Sequence, residues 1–192
     1  MYFVFDIETT GIPERNNNDR NRYHPYSKIE KYSNSRIVSI AWIILDKNYN
    51  EVSRYYSLIE PKGFDIPLSS TKIHGITTEY ASSLGRPIRD VINDFETMIR
   101  KCKVVVSHNI GFDMNVLSSE IYRFKRYDIA RDLNKMDKMC TMAKGKTMLG
   151  LSKYPKLAEL YGQLFGSNAM KEHHALEDAI NCSKCFVELM KS

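Results

Sequence analysis

Hydrophobic and polar positions follow two different periods along this chain. Residues 2–7 are a short apolar, β-rich run with polar residues only at its end, which predicts a buried strand finishing at residues 6–8. Residues 11–35 turn polar and rich in Asn, Arg, Lys and Tyr, with two prolines and no sustained period, the pattern of a long loop or insertion. Residues 36–45 and 51–60 are β-type runs separated by the turn-forming stretch 46–50, which predicts a hairpin. The period then changes. Residues 69–74, 78–84 and 87–101 read as helices, the last with Pro87 at its first position and Ile88, Val91, Ile92, Phe95, Met98 and Ile99 at helix spacing. Short strands at 103–107 and 138–141 alternate with helices at 112–124, 154–165 and 174–190. Three strands followed by alternating helices and strands predict an α/β fold, a mixed five-stranded sheet with helices on both faces.

Composition narrows the class. The 192 residues, 43% hydrophobic and 27% charged, suit one globular domain spanning residues 1–192 with a polar insertion at about 12–35. No apolar run has the length of a bilayer span. The N-terminal stretch does not read as a secretory signal, and the four scattered cysteines do not read as a disulfide framework. An intracellular, cytoplasmic protein is expected. Cys182 and Cys185 form a C-x-x-C pair inside a helical segment without a second ligand pair, so core packing is expected of them rather than zinc. The net charge of +5 is compatible with an anionic partner.

The chemistry concentrates in three clusters. Asp6 and Glu8 are two apart at a strand end, so both side chains leave one face of the sheet. Two crowded acids on an apolar strand repel and are costly to desolvate unless a cation sits between them; a solvated strand end is the alternative. Ser107-His108-Asn109-Ile110-Gly111-Phe112-Asp113 places Asp113 in the first turn of a helix, where it also suits the helix dipole. His173-His174-Ala175-Leu176-Glu177-Asp178-Ala179 opens the last helix, where capping alone is the simpler role.

Together, Phe5-Asp6-Ile7-Glu8-Thr9-Thr10-Gly11, His108-Asn109-x-x-Phe112-Asp113 and His173-x-Ala175-x-x-Asp178-Ala179 resemble, in order and spacing, the three motifs of the DEDD exonuclease superfamily. That family includes proofreading subunits of bacterial replicative polymerases, RNase T and oligoribonuclease. Ile73-His74-Gly75-Ile76-Thr77 is similar to the family's connection between the first two motifs. A His five residues before the last Asp identifies the histidine branch, DEDDh. The resemblance implies a ribonuclease H-like fold and a metal-dependent 3′–5′ exonuclease that releases nucleoside 5′-monophosphates from DNA or RNA. It implies Asp6, Glu8, Asp113 and Asp178 as ligands of two divalent cations, Mg²⁺ or Mn²⁺. Asp6 would bridge both ions, and Asp113 would act through water. His173 would be the general base, and Thr9, Thr10, His108 and Asn109 are candidates for contacting the terminal nucleotide. The implied partners are a single-stranded 3′ end, a polymerase and a second copy of the chain, with no membrane.

Two further surfaces stand out. The insertion mixes Arg15, Arg20, Arg22, Lys28 and Lys31 with Tyr23, Tyr26 and Tyr32, as single-strand binders do, but also holds Glu14, Asp19 and Glu30. Lys144, Lys146, Lys153 and Lys156 surround Tyr154 with no acid between them. Two alternatives stay open: a non-catalytic nucleic-acid-binding module on the same fold, and a proofreading subunit that lends its activity to a polymerase.

Overall fold

The computed structural model describes residues 1–16, 19–166 and 173–191, and for residues 19–22 the backbone alone. The strands are β1 (Tyr2–Thr9), β2 (Arg15–Asn16), β3 (Asp19–Tyr23), β4 (Ile37–Leu45), β5 (Glu51–Leu58), β6 (Val104–Ser107) and β7 (Asp137–Cys140). The helices are α1 (Leu68–His74), α2 (Thr78–Leu84), α3 (Ile88–Ile99), α4 (Ile110–Arg123), α5 (Tyr127–Lys135), α6 (Thr141–Met148), α7 (Leu157–Phe165) and α8 (Ala175–Met190). Five strands form one mixed sheet in the order β5-β4-β1-β6-β7. β1 and β4 pair antiparallel, as do β4 and β5, while β6 runs parallel to both β1 and β7. This is the expected α/β, ribonuclease H-like architecture.

β1 is the central strand, and its alternation decides what lies on each side. Phe3, Phe5 and Ile7 face one layer with Trp42, Phe95 and Leu117, where Trp42 stacks on Tyr55 at 3.9 Å. Val4 faces the other layer with Ala41, Ile43, Ala175, Ala179 and Phe186 beneath α8. The small residues Ala175 and Ala179 let α8 lie close to the sheet, and Cys182, also in this layer, is core, as is Cys185. Each fully buried large side chain contributes on the order of 1.5–3 kcal/mol.

The insertion differs from the structureless polar segment that its composition predicts. β2 and β3 form a two-stranded ribbon, and residues Ile29–Tyr32 make a 3₁₀ turn. Tyr32 is fully buried and donates its hydroxyl proton to the His24 carbonyl. Tyr23 packs edge-on against Phe112, and Tyr26 against Tyr122. These tyrosines anchor the segment to α4 instead of lying free for base stacking. Lys31 pairs with Glu14 at 2.7 Å, and Arg15 lies over Tyr23. The side chains of Arg20 and Arg22 fall outside the described residues.

Candidate active site

The parity that buries Phe3, Phe5 and Ile7 on one face of β1 puts Asp6 and Glu8 on the α8 face, opposite Ala41 and Ser39 of β4. Along β1, β6 pairs only with Tyr2 to Val4, so β1 runs on past the end of this parallel neighbour. Where β6 ends, the chain turns through Asn109 into α4. Asn109 has a left-handed backbone, φ 69°, which Asn tolerates better than most residues. The turn brings Asp113 into the crevice with only 3% of its surface exposed, and its carboxylate accepts a hydrogen bond from the Ser107 hydroxyl. From the other side, the first turn of α8 delivers Asp178. His173, at φ 62°, donates its backbone N–H to Asp178 Oδ2 at 2.9 Å.

The result is a cluster of largely buried acids. Glu8, His173 and Asp178 each offer a ligand atom, all within 4.8 Å of one another. Burial, then the carboxyls of Asp113, Asp178 and Glu8, hold the Asp6 carboxyl well above the ordinary carboxylate range. Burial, then Asp178 and Asp113, raises Glu8 to about 8. Burial takes Asp113 to about 7, against the opposing effect of the Ser107 hydrogen bond. Four carboxyls so placed cannot all ionise cheaply without a cation, and an oxygen-rich donor set without thiolate suits a hard divalent ion.

A cavity of about 420 Å³ opens from Asp6, His173 and Asp178 towards Asn109, Tyr154 and Lys156. His108 also borders it, but its two ring nitrogens already lie 3.0 Å from Thr141 Oγ1 and from the Pro155 carbonyl. Burial lowers its pKa to about 4, so the ring is neutral. The hydroxyls of Thr9 and Thr10 bond to the backbone at Gly11 and Asn34, and neither residue lines this cavity. A larger cavity, about 550 Å³, lies beside Arg36, Phe64 and Phe124, away from the acids; the Arg36 guanidinium there is already paired with Glu120.

Three residues without a role in the sequence reading belong to this neighbourhood. His74 approaches both the Thr9 backbone and His173; burial lowers its pKa, the Thr9 contact opposes this, and His173 lowers it further. Its helix stops at Gly75, φ 77°, a conformation that glycine adopts without strain. The signal was the Ile73-His74-Gly75-Ile76-Thr77 stretch itself. Ser107 and Thr141 gave none, because a single hydroxyl carries no pattern.

The sequence profile of the exonuclease (RNase T) family matches residues 3–186. The chain belongs to this exonuclease family. It is therefore an enzyme, a 3′–5′ exonuclease. Among curated relatives, the epsilon subunit of DNA polymerase III from Rickettsia conorii is 28% identical over 189 residues, covering 97% of this chain and 72% of that one. The epsilon subunit from Treponema pallidum is 25% identical, covering 98% of this chain and 76% of its own. Among solved structures, this exonuclease superimposes on E. coli exonuclease I in complex with a dT13 oligonucleotide with a TM-score of 0.75 at 18% identity, covering 100% of this chain and 41% of that one. Exonuclease X in complex with 5′-overhanging duplex DNA gives a TM-score of 0.67 at 21% identity, covering 100% and 92%. These two likenesses establish the shared fold. Among the described residues no helix is long and apolar enough to cross a membrane.

Proposed function

We propose that this exonuclease hydrolyses the terminal phosphodiester bond at the 3′ end of DNA and releases nucleoside 5′-monophosphates, with Mg²⁺ or Mn²⁺ as cofactor and His173 as general base. The observation that carries this reading is the meeting of Glu8, His173 and Asp178 within 4.8 Å, with Asp6 and Asp113 alongside, beside a cavity that Asp6, His173 and Asp178 line. Asp6, Glu8, Asp113 and Asp178 would hold the ions, whose chemistry is to neutralise the phosphate and acidify bound water. The protein residues do the rest. His173 stands beside this centre and accepts the proton of the attacking water. Water oxygen bonds to phosphorus, the bond to the 3′ oxygen breaks, and that oxygen leaves with the shortened strand as a 3′-hydroxyl, taking its proton from solvent. Asn109 and the backbone around Thr9 and Thr10 are the proposed contacts to the terminal nucleotide. DNA as substrate, and a polymerase as partner, rest on the likeness to epsilon subunits over nearly the whole chain.

The test is digestion of a 5′-labelled single strand, with duplex DNA and short RNA alongside, in Mg²⁺, Mn²⁺ or chelator. A ladder shortening from the 3′ end, with nucleoside 5′-monophosphate as product and no turnover in chelator, is expected. Asp6→Ala, Glu8→Ala and Asp178→Ala should each abolish turnover while the protein stays folded. Near-normal activity of any of them in Mg²⁺ overturns the metal assignment.

A further inference from the structure

We propose that Tyr154, backed by Lys146 and fixed in place by His108, is the stacking platform for a nucleobase adjacent to the scissile phosphate. The inference rests on the reading that the cavity receives a nucleic-acid end. Tyr154 is 58% exposed, so its ring contributes little to packing, yet it lines the same cavity as Asp6, His173 and Asp178. The volume of about 420 Å³ is within the range of small-ligand sites. Lys146 Nζ lies 4.5 Å from the centre of the Tyr154 ring, and Lys156 lines the same cavity. An aromatic face flanked by ammonium groups is what an unpaired nucleotide uses: the ring takes any base by stacking, and the cations answer the phosphates.

An exposed ring is useful as a platform only if its backbone is fixed, and the structure shows what fixes it. The Pro155 carbonyl can only accept, so the proton at this contact is on His108 Nε2. The ring is neutral, which leaves Nδ1 to accept from the Thr141 hydroxyl, 3.0 Å away. His108 thus ties the Tyr154 loop to the peptide that leaves β6 and carries Asn109 into the same cavity. The two helices flanking the loop are close-set as well. A Cβ added at Gly145 of α6 would come within 2.5 Å of Leu160 Cδ1 on α7. His108 is in this account a positioning residue, acting through Pro155 rather than on substrate.

The experiment measures the affinity of a 5′-fluorescein oligothymidylate by anisotropy, with Ca²⁺ replacing Mg²⁺ so that strand and protein stay intact. Tyr154→Ala should raise Kd roughly tenfold or more, as loss of one base stack does, and Tyr154→Phe should stay within about twofold of wild type. His108→Ala should weaken binding comparably, whereas His108→Gln, which keeps a donor for the Pro155 carbonyl, should restore most of it. The double variant Tyr154→Ala/His108→Ala should bind no worse than Tyr154→Ala, because both act through one ring. Tyr154→Ala binding like wild type, or losses that add in the double variant, overturns the platform. Hydrolysis of bis(p-nitrophenyl) phosphate by the wild type in Mg²⁺ tests the underlying reading separately: a protein that cleaves neither this diester nor DNA sinks the exonuclease chemistry, and the binding series still decides the platform.

Discussion

His173 and His174 are neighbours in the chain with opposite surroundings. His173 sits in a left-handed backbone conformation beside Glu8 and Asp178. His174 is extended, and its ring stacks on Tyr56 at 4.9 Å with 21° between the planes. We therefore expect His173→Ala to lose about 10² to 10⁴ in kcat with metal and substrate binding retained. His174→Ala should stay within a few-fold of wild-type turnover but lose on the order of 0.5–1.5 kcal/mol of stability with the ring contact. Single-turnover hydrolysis across pH in saturating Mg²⁺, with urea melts of both variants, separates the two. A larger kinetic loss at His174 would remove His173 from the mechanism. The spacing to Asp178 singled out His173 in the sequence; nothing there told what His174 touches, because Tyr56 is remote in the chain.

At the scale of elements, the five strands of the main sheet and the long amphipathic helices were legible within a residue or three of their ends, whereas β2 and β3 were not. Two helices were not assigned. α5 is nine residues long, and its apolar face, Ile129, Ala130 and Leu133, spans little more than one turn of a polar run, while α6 buries only Thr141 and Gly145 and has no apolar stripe. The insertion was misjudged for a related reason: its composition is polar, but a few tyrosines among the polar residues hold it to α4. Tyr32→Ala should accordingly destabilise the protein by roughly 3–5 kcal/mol, the usual loss for a buried aromatic. A solvated loop would lose about 0.5 kcal/mol or less. Equilibrium urea unfolding decides, and a shift in the lower range would return residues 12–35 to the status of a surface appendage.

For the whole molecule, the acid cluster should couple folding to pH and, on the proposed reading, to metal. Glu8 at about 8 and Asp113 at about 7 bind protons more tightly when folded than their ordinary values of 4.5 and 3.8. On this account the contribution to metal-free stability is full below pH 3.8, falls progressively above pH 4.5, and is gone once pH has risen past 7 to 8. Mg²⁺ should restore it, by about 2.7 kcal/mol at a hundredfold excess over Kd, with a smaller gain at pH 5.5. Glu8→Gln should flatten the metal-free profile. Calorimetry at four pH values, with Mg²⁺ or chelator, checks this; a Tm of the chelated protein that rises from pH 5.5 to 8 contradicts it. The sequence by itself determined which residues alternate onto one face of β1 and, through a resemblance in motif order, which acids lie together. Both are carried by short-range spacing, which the backbone geometry of strand and helix converts directly into direction. Only the tertiary structure decided that β1 outruns β6 to leave the crevice open, that Tyr32 turns inward, and that His108 holds the loop of Tyr154. Those depend on pairing register and on contacts between residues far apart in the chain, where many partners are compatible with one local pattern and packing selects among them.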